Sequence, residues 1–274
     1  IELIIVDDGS NMSSRKVFEK YKKELNISYF FIENKGPALA RNFGVRKALG
    51  EWIIFFDSDC TIPENYFHEV DFFLQNNDID FYGGPDMMDK NFTYFQKSIN
   101  FSMTSLLTTG GIRGSERSVD KFLPRSFNMG IKKKAFNDVK GFSDIRQYGE
   151  DLDLSYKLIF DGKISSLIPK AKVYHKRRSN LFNFFKQMFK SGKGRRFLDV
   201  KYDNVFRLFH LFPSLFLIIL IIGLMLFLSD NILSDIIQTL YGSYFLIIFL
   251  SSSYVNKNPF VGFISVITTL TQFI

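Results

Sequence analysis

The chain has 274 residues, of which 46% are hydrophobic, and a formal net charge of +7. The apolar content excludes a disordered chain, and the single cysteine, Cys60, excludes an internal disulfide. The positive charge is concentrated in residues 176–207, which hold ten lysines and arginines against two acids. Because a long apolar segment follows this basic stretch, the charge favours a membrane surface, and we expect no nucleic-acid partner.

The first 175 residues alternate between strand-like and helix-like segments. This alternation predicts an α/β domain with a mostly parallel sheet. In such a sheet the ligand binds at the carboxyl ends of the strands, so acids that directly follow a strand are candidate site residues. The predicted strands are 2–6, 27–32, 52–56 and 79–84, and the predicted helices are 12–25, 37–48 and 63–75.

Two pairs of acids follow predicted strands. Asp7 and Asp8 end the first strand in VDDGS, and Asp57 and Asp59 follow the third in FFDSD. Carboxylates on a tight turn form half of a site for Mg²⁺ or Mn²⁺, ions that take further ligands from substrate phosphates. The alternative is that these acids only cap the helices that follow them.

Between these acid pairs lies NKGPALARNFG, in which Gly36 and a proline turn the chain into a helix. Lys35 and Arg41 flank the first turns of that helix. A helix start with two cations favours an anion such as a diphosphate. Arg41 could equally be an ordinary surface residue.

Three acids open a later predicted helix in GEDLDLSYKL: Glu150, Asp151 and Asp153. The helix dipole favours ionised carboxylates there, which would keep a general base available at neutral pH. Asp153 lies about 200° around a helix from Asp151, so the two cannot share one task. The alternative is that all three are ordinary helix N-terminal acids.

The ordered motifs DDGS, NKGPALARNFG, FFDSD and FNMGIKKKAFNDVKGFSDIRQYGEDLDL resemble the inverting glycosyltransferases of family 2. The resemblance covers about residues 1–196 and implies a Rossmann-like GT-A domain over residues 1–175. The first strand and helix of that family have no counterpart here, and no methionine opens the chain. We therefore expect an N-terminally truncated chain that lacks part of its donor pocket.

The resemblance also implies a role for each candidate residue. Asp7 and Asp8 would hold the base and ribose of a nucleotide, with Lys35, Gly36 and Arg41 completing the donor site. Asp57 and Asp59 would hold ribose, diphosphate and a Mg²⁺ or Mn²⁺ cofactor, and His175, after the strand-like AKVYH, would reach the same metal unless it is structural. The pair Glu150-Asp151 would supply the catalytic base, for which we choose Asp151.

The substrate class follows from the same resemblance. FFKQMFKSGKGRR has Gln187 but lacks the Arg-Trp that processive members carry after it, which argues against processive synthesis. The stretch looks more like bacterial exopolysaccharide transferases. The expected reaction moves a sugar from a nucleoside-diphosphate sugar, with a UDP-sugar as first choice, to a polyprenyl-linked saccharide in polysaccharide biosynthesis. The alternatives are transfer directly to polyprenyl phosphate and a non-catalytic membrane protein with a degenerate transferase domain.

Residues 176–204 read as a basic amphipathic juxtamembrane segment. Its apolar side chains recur at helical spacing, which predicts a helix that lies in the membrane interface or packs on the catalytic domain. The predicted apolar face consists of Leu181, Phe184, Phe185, Met188 and Phe189.

Residues 205–274 contain three predicted transmembrane helices, at about 205–229, 233–255 and 259–274. The basic flank before 205 places the catalytic domain in the cytoplasm, on a multi-pass protein of the bacterial inner membrane in contact with its lipids. Three buried helices of a soluble core are the alternative.

Overall fold

The computed structural model describes residues 1–89, 91–110, 122–145, 149–203, 205–227 and 231–274. The chain divides into two compact units. Unit 1 comprises residues 1–87 and 122–174, and unit 2 comprises residues 88–121 and 175–274. Unit 2 therefore includes a segment, 88–121, from inside the predicted α/β domain.

The strands of the described residues form three small sheets. Every strand residue belongs to unit 1 except His175, the last residue of the final strand. They are β1 (Leu3–Asp8), β2 (Ile27–Ile32), β3 (Trp52–Phe56), β4 (Cys60–Thr61), β5 (Phe81–Gly83), β6 (Asp86–Met87), β7 (Asn128–Lys132), β8 (Ser165–Leu167) and β9 (Val173–His175). The sheet orders are β1-β2, β3-β7-β5-β8 and β4-β9-β6.

The helices of unit 1 alternate with its strands, and those of unit 2 are largely apolar. In chain order the helices are α1 (Arg15–Tyr21), α2 (Pro37–Lys47), α3 (Tyr66–Asn76), α4 (Tyr94–Thr104), α5 (Leu106–Thr109), α6 (Lys133–Asp138), α7 (Glu150–Phe160), α8 (Leu181–Lys201), α9 (Phe212–Met225), α10 (Ile232–Asn256) and α11 (Pro259–Phe273). The helix predicted over 12–25 is shorter in the structure, where only α1 is helical. None of the α1 residues is buried.

The α/β class is as predicted, but the sheet is divided and mixed. β1 pairs with β2 in parallel and β5 pairs with β8 in parallel, whereas β7 is antiparallel to both β3 and β5. The sequence analysis did not predict β7, because NMGIK is short and carries a glycine. That glycine is required here: a Cβ at Gly130 would lie 2.1 Å from the ring of Tyr82.

Two apolar clusters form the core of unit 1. One joins β3, β5 and β7 to α2, α6 and α7, and its largest side chains include Phe55, Phe81 and Phe136. The other lies under α3, around the fully buried Tyr66 and Tyr82, with Trp52 packed against it. The first cluster thus holds α2 and α7 against β3, β5 and β7, and Ile4 of β1 packs on it, which fixes the strand ends that carry the candidate acids.

Unit 2 is built around α11, whose hydroxyl side chains are buried against α4 and α10. The Ser102 and Thr268 hydroxyl oxygens lie 2.6 Å apart, and those of Ser252 and Ser265 lie 2.7 Å apart. All four side chains are fully buried. Small hydroxyl residues allow close helix packing and satisfy one another in an apolar surrounding. The segment predicted as the third membrane span therefore buries its hydroxyl face inside unit 2, while Phe260 and Phe263 of the same helix are exposed, and its place in a membrane stays a prediction.

The structure divides the predicted apolar face of α8. Phe184 is buried and Met188 packs beside it, against Ile99 and Met103 of α4. Phe189, predicted on the same face, is 50% exposed. The division follows from packing on α4, which the sequence periodicity of α8 alone does not reveal.

Within the residues that the structure describes, two helices are long and apolar enough to cross a membrane by length and composition. They are Leu208–Met225, which includes one 3₁₀ turn before α9, and Ile232–Asn256. α11 is shorter, at 15 residues. The last two residues of the first predicted span, 228 and 229, lie outside the described residues.

We expect Gly262→Ala to destabilise unit 2. A Cβ at Gly262 would lie 2.0 Å from the Ser253 hydroxyl oxygen and 2.6 Å from the Phe249 carbonyl oxygen. Overpacking of this kind costs about 1–3 kcal/mol. The matched control is Gly242→Ala in α10, where a Cβ meets nothing within 4 Å. Thermal unfolding in detergent should show a lower Tm for Gly262→Ala only, and equal Tm values for the two variants would contradict the packing.

Candidate active site

The candidate site is organised around Arg41, on α2 in unit 1. Its two terminal nitrogens bind two acids from distant parts of the chain: Nη2 lies 2.7 Å from Asp57 Oδ1 and Nη1 lies 3.1 Å from Glu150 Oε1. The Arg41 side chain is only 16% exposed. Burial lowers the pKa of the guanidinium, but the two carboxylates outweigh it and the net shift is upward. Arg41 is therefore a fixed cation that joins the end of β3 to the start of α7.

Asp57 and Asp59 lie on a tight turn after β3. The Cys60 amide donates to the Asp57 carbonyl oxygen at 3.0 Å, which closes the turn. The Asp59 side chain is exposed, whereas Asp57 is partly covered and bound to Arg41. Hard carboxylate oxygens presented at a surface turn fit the ligand preference of Mg²⁺ and Mn²⁺.

Cys60, on the same turn, is not an activated nucleophile. Burial, followed by the charges of Asp57 and Asp59, raises the pKa of its thiol to about 12. Its Sγ lies 3.6 Å from the Phe127 carbonyl oxygen. A thiol of this kind stays protonated at neutral pH and acts as a small packing residue.

Asp7 is a buried, hydrogen-bonded residue near the end of β1. It accepts hydrogen bonds from the Tyr29 hydroxyl at 2.6 Å and from the Ser10 amide at 2.9 Å. The Tyr29 bond, followed by those from Ser10, lowers the pKa of the Asp7 carboxyl to about 2. Asp7 thus ties the VDDGS turn to β2, and its predicted contact with a nucleotide stays a prediction.

Asp8 holds the loop that leads into α2. Its two carboxylate oxygens accept from the backbone amides of Lys35, at 2.8 Å, and Gly36, at 2.9 Å. Gly36 has φ of +89°, a conformation that glycine adopts without strain. Since Asp8 already binds these two amides, the predicted anion role of this loop rests on the exposed Lys35 side chain.

The two adjacent acids at the start of α7 have different surroundings. Glu150 binds Arg41 through Oε1 and accepts from the Gly149 amide through Oε2 at 3.2 Å. Asp151 Oδ1 accepts from the Leu152 amide, and Asp151 Oδ2 lies 3.6 Å from a terminal nitrogen of Arg125. Glu150 is thus held by a partly buried ion pair with Arg41 at 3.1 Å, whereas Asp151 lies 3.6 Å from Arg125.

Asp153 is separated from both, as its helical position predicted. It is fully buried and accepts from the Ser143 hydroxyl at 2.6 Å. This bond holds the loop before α7 onto the helix. Asp153 is therefore a structural residue.

Three residues around the site were not identified from the sequence. Phe142 places its ring 5.5 Å from the Arg41 guanidinium, a cation–π distance. Asn42 binds the Phe142 backbone through both side-chain atoms, at 2.8 and 2.9 Å. Asn42 and Phe142 both stand inside motifs quoted from the sequence, which is a usable signal, whereas Arg125 stands just before the last of those motifs and carries none.

The structure therefore brings Asp57 and Glu150 together on Arg41, and it holds Asp59 on the turn that Asp57 begins. Asp151 follows Glu150 directly, on the same first turn of α7. His175 is the last residue of β9 and is counted with unit 2. Its role as a metal ligand stays a prediction.

Comparisons with known proteins give a family match and several relatives. The family model described as glycosyl transferase family 2 matches residues 1–140. Glycosyltransferase GlyG of Streptococcus pneumoniae is 28% identical over 191 residues, which are 66% of this chain and 63% of that protein. The minor teichoic acid biosynthesis protein GgaB of Bacillus subtilis is 30% identical over 185 residues, which are 66% of this chain and 20% of that protein. The chain thus spans less than two thirds of the length of either relative.

A solved structure resembles the fold. It is described as the mannosyltransferase PcManGT from Pyrobaculum calidifontis in complex with GDP-Man and Mn²⁺. The TM-score is 0.66 at 11% identity, with 98% of this chain and 77% of that chain covered. At this identity the likeness bears on the fold alone, and it confirms the predicted GT-A type of α/β fold.

We expect Tyr29→Phe to destabilise unit 1 in a pH-dependent way. A hydrogen bond to a charged group contributes about 2 kcal/mol. Because folding lowers the pKa of Asp7 from 3.8 to about 2, this stabilisation is present above pH 3.8 and is lost as the pH falls towards 2. The difference in Tm between the native protein and Tyr29→Phe should therefore be largest near neutral pH and shrink at low pH.

The matched control is Tyr21→Phe on α1, since no side-chain hydrogen bond of Tyr21 occurs among the described residues. It should change Tm little at any pH. A Tyr29→Phe effect that does not depend on pH would contradict the bond to an ionised Asp7.

Proposed function

Because this chain belongs to glycosyl transferase family 2, we propose that it transfers a sugar from a nucleoside-diphosphate sugar to a lipid-linked saccharide in polysaccharide biosynthesis. The observation that carries the proposal is the Arg41 bridge, which brings the acidic turn after β3 and the acids of α7 to one place. The teichoic acid protein among the relatives supports a polysaccharide product. A UDP-sugar is the proposed donor.

The donor side of the site is the acidic turn together with the loops around Asp8. The carboxylates of Asp57 and Asp59 fit a Mg²⁺ or Mn²⁺ ion by their chemistry and their position on a surface turn. Such an ion, when bound, offsets the negative charge of the departing diphosphate. Asp8 orders the loop that presents Lys35, whose ammonium lies at the start of α2 and is suited to a phosphate.

The proposed catalytic base is Asp151. Inversion requires a single displacement, in which a carboxylate takes the proton of the acceptor hydroxyl as its oxygen attacks the anomeric carbon and the nucleoside diphosphate leaves. Of the two adjacent acids, Glu150 has both oxygens in close bonds. Asp151 has one oxygen 3.6 Å from Arg125, beyond a normal hydrogen bond. This difference supports Asp151 over Glu150.

The proposed location is a bacterial inner membrane, crossed by the segments Leu208–Met225 and Ile232–Asn256. At about 1.5 Å per residue these helices are about 27 and 37 Å long, close to or above a hydrocarbon core of about 30 Å. The first of them exposes apolar side chains: Leu215, Ile218, Ile221 and Leu224 are each more than half exposed. Such a surface is unfavourable in water and suited to lipid.

α8 carries an outer stripe of alternating aromatic and basic side chains, which we propose as the contact with lipid headgroups. Lys186 lies 4.2 Å from the Phe182 ring, and Lys193 lies 5.0 Å from the Phe189 ring. Phe182 and Phe189 are 63% and 50% exposed. Aromatic rings at the acyl boundary and lysines at anionic headgroups are typical of an interfacial helix. The stripe lies on the side of α8 that faces away from Phe184.

We expect Asp151→Asn to abolish transfer and to leave nucleotide binding intact. Loss of a general base costs about 10²–10⁴-fold in rate. The assay incubates the full-length protein in membranes with a panel of labelled nucleotide sugars, and nucleotide binding is measured separately with UDP and Mn²⁺. The matched control is Asp161→Asn, at the exposed end of the same helix, which should keep both activities.

Transfer by Asp151→Asn at the native rate would contradict the assigned base. Loss of nucleotide binding together with transfer would contradict the separation between donor site and base. A native protein that binds nucleotide but neither transfers nor hydrolyses any donor would favour a non-catalytic binding protein.

We expect the outer stripe of α8 to contact lipid. In a Trp52→Phe background, a single tryptophan is placed by Phe189→Trp on the outer stripe or by Phe184→Trp on the inner face of the same helix. Fluorescence quenching by brominated lipids in nanodiscs should be strong for Phe189→Trp and weak for Phe184→Trp. Equal quenching at the two positions would contradict an interfacial α8.

A further inference from the structure

Arg41 stands at the start of α2, where a cation could meet a donor diphosphate, but both of its terminal nitrogens are already in contact with carboxylates. Asp57 lies 2.7 Å from one nitrogen and Glu150 lies 3.1 Å from the other. The Phe142 ring lies 5.5 Å from the guanidinium. The two carboxylates thus take the terminal N–H groups through which a guanidinium binds anions, and the ring lies at a cation–π distance.

We propose that Arg41 is a positioning residue that holds the base segment of α7 against the donor turn, and that it is not a ligand of the diphosphate. The inference rests on the proposed function, because it assigns Arg41 a part in that reaction. It acts through Glu150, whose neighbour Asp151 is the proposed base.

The charges at the bridge support this role. Two carboxylates already face the one guanidinium, so the bridge by itself offers no excess positive charge to a diphosphate. The cation is also mostly covered, since its side chain is 16% exposed. A buried arginine paired with two acids is held firmly, because leaving any one of the three unpaired is unfavourable.

The surroundings of Arg41 make the bridge rigid. Asn42, the next residue of α2, binds the Phe142 backbone through both its amide nitrogen and its oxygen. Lys157 of α7 donates to the Gly141 carbonyl oxygen, and Ser143 donates to Asp153 of α7. The loop 141–143 is therefore tied to α2 on one side and to α7 on the other. Arg41 adds the third connection, to the end of β3.

The test uses Arg41→Lys, because the two roles make opposite demands on a lysine. A lysine ammonium is a compact point charge that binds phosphate well but cannot span two carboxylates as a planar fork does. If Arg41 bridges Asp57 and Glu150, lysine does not rescue the function. If Arg41 binds the diphosphate, lysine largely preserves binding.

The experiment compares the native full-length protein with Arg41→Lys and with the matched control Arg46→Lys, an exposed arginine at the other end of α2. We expect Arg41→Lys to lower the rate at saturating donor about 100-fold, the scale of a small misplacement of a catalytic group. Binding of UDP with Mn²⁺, measured by calorimetry, should stay within about threefold of native. Arg46→Lys should change neither quantity.

A native rate in Arg41→Lys would overturn the inference. So would a large loss of UDP affinity in Arg41→Met that Arg41→Lys restores, since that pattern identifies a phosphate ligand.

A second measurement does not depend on activity. Tm values are compared for Arg41→Met, Glu150→Gln and the double variant, and we expect the double variant to lose less than the sum of the single losses. If Arg41→Met alone does not fold, recovery of folding on adding Glu150→Gln and Asp57→Asn supports the bridge, and failure to recover it overturns the bridge. Additive losses overturn it as well. If the native protein shows no transfer, the proposed function fails, while this comparison still decides whether Arg41 holds the two segments together.

Discussion

The site depends on one buried cation that must be neutralised from two directions. Arg41 binds Asp57 and Glu150, which are 93 residues apart in the chain. An arginine this well covered is stable only when its carboxylate partners are in place, so the end of β3 and the start of α7 are obliged to meet. The local arrangement of the proposed donor turn and the proposed base follows from that obligation.

The candidate acids of unit 1 divide into those whose oxygens accept close hydrogen bonds and those that have an exposed side chain or only a longer contact. Asp7, Asp8 and Asp153 each accept close hydrogen bonds from hydroxyls or backbone amides of neighbouring segments. Asp59 is exposed on its turn, and Asp151 meets its arginine only at 3.6 Å. The hydrogen bonds of Asp7, Asp8 and Asp153 make their loops rigid. Rigid loops in turn hold Asp59 and Asp151 in fixed positions. Preorganisation of this kind is what a transfer reaction requires of its scaffold.

Unit 2 shows two different ways of using apolar helices. α11 buries its hydroxyl residues against α4 and α10, as at Ser102 and Thr268, and exposes Phe260 and Phe263. α9 and α10 carry exposed leucines and isoleucines, as lipid-facing helices do. α8 combines both, with Phe184 directed into unit 2 and Phe189 directed outward. The periodicity of α8 placed Phe184 and Phe189 on one apolar face, because it holds no information about which side of α8 packs on α4.

The sequence by itself determined the features that depend on neighbouring residues. Apolar runs located β2 and β3 to the residue, the acids that end the first predicted strand and follow the third identified the candidate site, and the ordered motifs indicated the family. Only the tertiary structure decided that β7 runs antiparallel, that Arg125 faces Asp151, and that Arg41 is bound by two acids. Each of these depends on contacts between segments far apart in the chain, and the free energy of such contacts is absent from any local pattern of residues.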